Sequence, residues 1–176
     1  MVKRIAAILA AIMIAAALAA CTDPGEIVLT DEPGVVTTAP AQTEEDAFYF
    51  NAGKISIRPH GDFANAEQYL GEPVSKEVSA SCAYIGYDKV FVYNGFTVQT
   101  YPDGDRDFIL WISVTDPSKA TPEGISIGST QQQVSDAYGT GYEARGSAWV
   151  YTRGNTSLSF MFGSDGKVAA IQYMAE

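Results

Sequence analysis

The sequence predicts an α+β fold of two tandem β-α-β-β-β modules, short helices packed on antiparallel sheet, and two repeated patterns carry that expectation. The first is a β-prone triplet followed by a helix-length stretch and a glycine. It occurs as Ile55-Ser56-Ile57, Asp62 to Leu70 and Gly71, and again as Ile125-Ser126-Ile127, Ser129 to Tyr138 and Gly139. The second is an Asp-Gly pair between alternating apolar segments, Asp103-Gly104 and Asp165-Gly166. Such a pair marks a hairpin, because the turn needs a positive φ that glycine adopts without steric cost. Matching patterns at matching places imply a duplication.

Taken in chain order, residues 1–20 are an export leader. Lys3 and Arg4 supply the positive start, Ile5 to Ala20 an uncharged apolar run, and Leu18-Ala19-Ala20 the small residues before a cut. At 1.5 Å per residue the run rises about 24 Å as a helix, short of a comfortable membrane span. Leu18-Ala19-Ala20-Cys21 resembles the lipobox of bacterial lipoproteins. That resemblance implies a thioether-linked diacylglycerol on Cys21, and with it a membrane partner through the lipid and an extracytoplasmic place at the cell membrane or envelope. Two acyl chains hold a small protein on a bilayer where one binds marginally. With Cys21 consumed, Cys82 has no partner for an intramolecular disulfide, and the strand-like run Ala80 to Ile85 predicts that its thiol is buried and structural.

Residues 21–47 read as a tether. From Thr22 to Asp46 there are three prolines and seven acidic residues with no lysine or arginine, too little apolar surface to offset the entropy of ordering. A coil of that length reaches about 27 Å on average. Removing Lys3 and Arg4 with the leader takes the formal net charge from −10 to −12. An acidic chain with no basic cluster argues against nucleic acid and against electrostatic adhesion to anionic lipid.

Module one is expected over 48–116, a linker over 117–123 and module two over 124–176. Asp62 is the expected cap of the first helix, with Phe63, Ala66, Tyr69 and Leu70 as its apolar stripe. Ser129 and Gln132 have the spacing of a capping box for the second, with Val134, Ala137 and Tyr138 facing the sheet. Helices this short need packing on a sheet to persist.

The cadence Gly124-Ile125-Ser126-Ile127-Gly128-Ser129, then Ser135 and Ala137-Tyr138-Gly139, resembles two related groups. These are the small outer-membrane-assembly lipoproteins of the SmpA/OmlA (BamE-like) type and the tandem-repeat β-lactamase inhibitory proteins. In both, short helices lie against antiparallel sheet, and both act by holding another protein. Module one departs from the cadence with Arg58-Pro59-His60-Gly61-Asp62, and the inhibitory proteins use disulfides that this chain lacks. The whole also resembles uncharacterised lipoproteins of low-GC Gram-positive bacteria, which implies location rather than action.

The residues offer little catalytic chemistry. His60 is the sole histidine, expected as a solvated or helix-capping imidazole, and no Gly-x-Ser-x-Gly elbow is present. His60 and Cys82 alone leave zinc short of ligands. Asp103, Asp105 and Asp107 alternate at a hairpin and could present oxygens to calcium, although the rest of a twelve-residue calcium loop is missing. A charged hairpin tip is the simpler reading, and no other cofactor is indicated. Aromatic residues are dense in both modules, and any left on the outer sheet face would form a binding platform. Trp111, Trp149 and Tyr151 are the residues expected to line it. The resulting expectation is a non-enzymatic module that binds a protein or cell-envelope component. The rivals are a hydrolytic or carbohydrate-acting enzyme, which would need His60 in a pocket with a carboxylate and a serine, and a structural accessory subunit.

Overall fold

A computed structural model of the chain describes residues 46–176; the expected leader, Cys21 and nearly all of the tether lie outside the described residues. The fold is α+β, with two short helices and two antiparallel sheets. A small sheet pairs β1 (Phe50–Asn51) with β2 (Ser56–Ile57). Helix α1 (Phe63–Leu70) follows, then β3 (Ser75–Ala80), β4 (Tyr87–Tyr93), β5 (Phe96–Asp103) and β6 (Arg106–Val114). Helix α2 (Gln131–Tyr138) precedes β7 (Glu143–Arg145), β8 (Ala148–Arg153), β9 (Thr156–Phe162) and β10 (Val168–Ala175). The large sheet has eight strands in the order β3-β4-β5-β6-β10-β9-β8-β7, every neighbour antiparallel.

Four strands therefore follow each helix, where the sequence pattern suggested three. The extra ones are β3, with all six of its residues exposed, and β7, only three residues long. An edge strand that buries neither face carries no apolar alternation to read. The leading triplets also fall short of the expectation. Only Ser56 and Ile57 form a strand in the first, and in the second Ser126 makes a single bridge to Ala120.

The two halves match in backbone detail. Before α1, the His60 N–H donates to the Ile109 carbonyl (2.8 Å) and the Ile109 N–H to Gly61 (2.9 Å). Before α2, Gly128 donates to Val168 (2.7 Å) and Val168 to Ser129 (2.8 Å). Immediately beyond these residues each final strand carries a β-bulge, at Leu110 opposite Gln99 and Thr100, and at Ala169 opposite Met161 and Phe162. Both helices end at a glycine with φ near 80°, Gly71 (77°) and Gly139 (80°).

At the helix starts, Asp62 caps α1 as expected, accepting from the Ala64 N–H at 3.0 Å. The capping box of α2 lies one residue later than its sequence suggested, on Thr130 and Gln133. Ser129 is otherwise engaged: its hydroxyl accepts from the Ser126 N–H and its carbonyl from Val168. The turn between β5 and β6 is likewise displaced, with Gly104 and Asp105 as its central residues rather than Asp103 and Gly104.

The halves meet where β6 pairs with β10 through Val114–Ile171, Ser113–Gln172, Ile112–Tyr173 and Trp111–Met174. Ile109, Ile112 and Val114 of β6 and Val168, Ile171 and Tyr173 of β10 are buried on one common face, against Phe63, Ala66 and Val134 of the helices. Phe50, fully buried, lies over this junction at 5.2 Å from the Phe96 ring and 6.0 Å from Tyr173, touching both halves. Just before it, the Phe48 N–H donates to Thr156 Oγ1 at 2.9 Å, and the Phe48 ring meets Tyr138 and lies under the Arg153 guanidinium.

Two outcomes follow from this packing. Phe50→Ala removes the ring shared by both halves and is expected to lower unfolding free energy in urea by about 3–5 kcal/mol. Tyr69→Ala, at an exposed helix position, should stay within about 0.5 kcal/mol. Burial, then Glu67 and Glu72, pushes the Tyr93 hydroxyl up to about 12. Burial also raises Tyr138, with the hydrogen bond to Glu123 second, and Tyr173, with Glu123 second. Because an unfolded tyrosine ionises near about pH 10, the unfolded state releases these protons first. Stability from these groups is thus complete below about pH 10 and lost as pH rises toward the folded values. Urea midpoints measured across that range should fall as pH rises, and the phenolate absorbance of Tyr93, Tyr138 and Tyr173, isolated by Tyr→Phe substitution at each, should appear only with unfolding.

Candidate functional site

The strand register assigns each aromatic side chain to a face. Along β5, Phe96, Val98, Thr100 and Pro102 are buried inward while Thr97, Gln99 and Tyr101 alternate onto the outer face, partly exposed. Across from them on β6, Phe108 pairs with Tyr101, and Trp111 with Gln99. The bulge at Leu110 lets Ile109 and Ile112 both point inward although they are three residues apart, and so leaves Trp111 outside.

Trp149 and Tyr151 do not share that face. They pair with Phe160 and Leu158, both fully buried, and so point inward. Tyr151 is buried, donates its hydroxyl to the Gly139 carbonyl at 2.8 Å and thereby ties the end of α2 to the sheet. Trp149 stacks on Tyr142 at 4.0 Å and meets Phe162 edge-on. The three residues expected to form one platform are thus split, two toward the core and one outward, because a strand's period of two separates positions that look equally aromatic in sequence.

The outer face of the sheet around β5 and β6 instead gathers His60, Tyr101, Phe108 and Tyr84. The Tyr101 hydroxyl and His60 Nδ1 are hydrogen-bonded at 3.0 Å, with the rings edge-on. Tyr84 stacks on Tyr101 at 4.7 Å, Phe108 lies 5.9 Å from it, and the Arg106 guanidinium covers Phe108. Burial first, then Tyr84 and Asp103, raises the Tyr101 hydroxyl above its ordinary range, so it is a neutral phenol at physiological pH. His60 Nε2 and Asp88 Oδ1 are buried without a hydrogen-bond partner among the described residues.

His60 is neither a cap nor freely solvated. It is partly buried and has φ 61°, the one positive φ outside glycine among the described residues. Gly128 occupies the corresponding place before α2, with φ 95°. The left-handed region costs a residue with a Cβ roughly 1–2 kcal/mol. The first half of the fold therefore retains a strained histidine where the second half shows that glycine suffices, and strain of this kind concentrates at functional sites. The departure from the Gly-Ser cadence at Pro59-His60-Gly61 was the sequence signal for this corner; the ring cluster around it needed the register.

The acidic hairpin does not assemble as a metal loop. Asp107 is paired with Lys89 across the sheet, Asp103 and Asp105 are exposed at the turn, and no group of three metal-ligating side chains that could hold an ion occurs among the described residues. Cys82 is exposed, not buried. Its run leaves the sheet after Ala80 and forms a loop closed by the Ser81 N–H on the Gly86 carbonyl at 3.0 Å.

A cleft of about 460 Å³ opens between the β1–β2 hairpin and the start of α1, lined in part by Asn51, Ser56, Arg58, Asp62 and Asn65. It holds a serine and a carboxylate, but His60 is not in its lining. The Ser56 hydroxyl donates to Asn51, and Asp62 caps α1 and pairs with Arg106 at 3.5 Å. Nothing there links a nucleophile to a base.

No protein-family model matches the chain, and no curated protein matches it. A solved structure with which it aligns is an extracellular protein containing a SCP domain from Bacillus anthracis str. Ames, at 15% identity and a TM-score of 0.40. The alignment covers 84% of this chain and 50% of that one, so the chain spans about half the length of that protein.

Replacing His60 separates strain from contact. His60→Ala keeps the left-handed strain and loses the ring, whereas His60→Gly loses the ring and relieves the strain. His60→Gly is expected to be the more stable of the two by about 1 kcal/mol in urea unfolding.

Proposed function

We propose that this chain is a lipid-anchored extracytoplasmic binding module without catalytic activity. In this reading residues 1–20 are removed, Cys21 carries the lipid and 21–47 are the spacer. Modules 48–116 and 124–176, joined by 117–123, form the body that holds a protein or cell-envelope partner. Short helices on antiparallel sheet are the general features this body shares with the SmpA/OmlA-type lipoproteins and the β-lactamase inhibitory proteins. Both groups bind proteins.

The observation that carries the reading is the outward corner of module one. A strained His60 is held against Tyr101, with Tyr84 and Phe108 beside it, in one of two copies built on the same backbone. Tyrosine rings bury large area at small entropic cost and make effective interface anchors. At the same strand positions module two has Ala170 for Trp111, Gln172 for Ser113 and Met161 for Gln99, so the aromatic character belongs to one copy.

The test uses the chain from Cys21 to Glu176, with Cys21→Ser, immobilised and exposed to solubilised envelope of the native host. A component retained by this chain is expected to bind Tyr101→Ala at least about 30-fold more weakly, the scale of losing one interface anchor. Met161→Ala, on the outer face of module two, should bind as the parent does. Equal retention by Tyr101→Ala would contradict the assignment of the surface.

A further inference from the structure

We propose that the loop Ser81–Gly86 is a second membrane contact, one that dips Ile85 into the lipid interface and orients the body above the bilayer. The inference rests on the lipid-anchored reading of Cys21 and adds to it the apolar tip of a loop whose Tyr84 borders the partner corner at Tyr101.

The loop is a built feature. Its base is closed by the Ser81 N–H on the Gly86 carbonyl, and the Ser81 hydroxyl accepts from the Ala83 and Tyr84 N–H groups at 3.4 and 3.2 Å. Gly86, at φ 132°, lies so close to Pro102 that a Cβ there would meet its ring at 3.0 Å. At the apex Ile85 is 99% exposed, and Tyr87, which opens β4 just after the loop, is 60% exposed. From Ser79 to Tyr87 the chain carries no charge.

The duplication supplies a control within the same molecule. The connection at the same place in module two, between β7 and β8, is the two-residue turn Gly146-Ser147, flanked by Arg145 and its ion-pair partner Glu143. One copy thus has a tight polar turn and the other an extended apolar loop. The loop's composition, an aliphatic tip with tyrosines at its rim, suits a bilayer interface, where amphipathic rings sit at headgroup level. The acidic body supplies no attraction for anionic headgroups, so the contact is apolar and needs only zwitterionic lipid.

The place where the described chain begins favours the bilayer as occupant. Asp46 abuts Gly154 at the β8–β9 turn, and Thr156 pairs with Ala175. That puts the root of the spacer on the same side of the Ser113–Gln172 pair as the β5–β6 turn and this loop. β4 is four strand spacings from β9, about 19 Å, which is less than the reach of about 27 Å expected of a coil with the spacer's length. A surface held within such reach of the membrane meets it at high effective concentration, so a shallow contact is enough to set orientation.

Cys82 lies on the loop and is exposed, which gives the test its probe. The chain from Cys21 to Glu176 with Cys21→Ser and an amino-terminal histidine tag is labelled at Cys82 with an environment-sensitive fluorophore. It is then held on phosphatidylcholine vesicles doped with a nickel-chelating lipid. The expected result is a blue shift on tethering and quenching by nitroxide-bearing lipid, both lost in Ile85→Asp and reduced in Tyr87→Ser. A spectrum that stays aqueous, or one that shifts equally in Ile85→Asp, would overturn the proposal. The vesicles provide their own anchor, so either failure sinks the loop alone. The lipid on Cys21 stands or falls separately, by mass spectrometry of the native amino terminus.

Discussion

The pairing of β6 with β10 is the constraint on which the rest of the fold depends. Each half is a four-strand meander with a short helix, and alone each would expose two sheet edges and a helix too short to persist. Joining the last strands removes one edge from each. Ser113 faces Gln172, and these stand at equal distances beyond Ile109 and Val168, so the halves are related by an approximate two-fold axis through that pair. Because the paired residues share a face, the axis runs through the sheet and leaves both helices on one side. A single core follows, and Phe50 can pack on Phe96 and Tyr173 together.

Much of this was legible because it depends on local chemistry. Asp62 before an apolar stripe, Gly71 and Gly139 after one, and the Asp103-Gly104 turn each announce a boundary by backbone preference, and the observed elements fall at or within a residue of them, while Asp165-Gly166 falls inside the connection between β9 and β10. β3 was not legible, because an edge strand with neither face buried has no period to detect. Cys82 was misjudged for a related reason: Ala80 to Ile85 has the composition of a strand, but Ser81 and Gly86 close it into a loop. The candidate surface failed at the level of register. Trp111, Trp149 and Tyr151 look alike in sequence, and only the Leu110 bulge and the pairing of β8 with β9 decide which of them face outward. His60 was visible as a departure from the repeat, yet its left-handed backbone and its bond to Tyr101 are tertiary facts.

Comparing the copies separates what the fold needs from what it carries. The helix caps, the bulges and the backbone bonds of Ile109 and Val168 occur twice, so the architecture itself demands them. Among the described residues the aromatic corner around His60 and the apolar loop at Ile85 occur once, both in the first half. Stability is thus the shared task of the two copies, and the surfaces proposed to meet a partner and a membrane belong to the first.

Amide hydrogen exchange measures the central constraint most directly. If the β6–β10 junction holds the two meanders as one cooperative unit, the amides of Ile112, Val114, Ile171 and Tyr173 should be among the slowest in the chain. They should then exchange with the same free energy as global unfolding, alongside the inner amides of β5 and β9. Exchange of one meander's core at a lower free energy, while the other stays protected, would show that the halves fold separately and would contradict it.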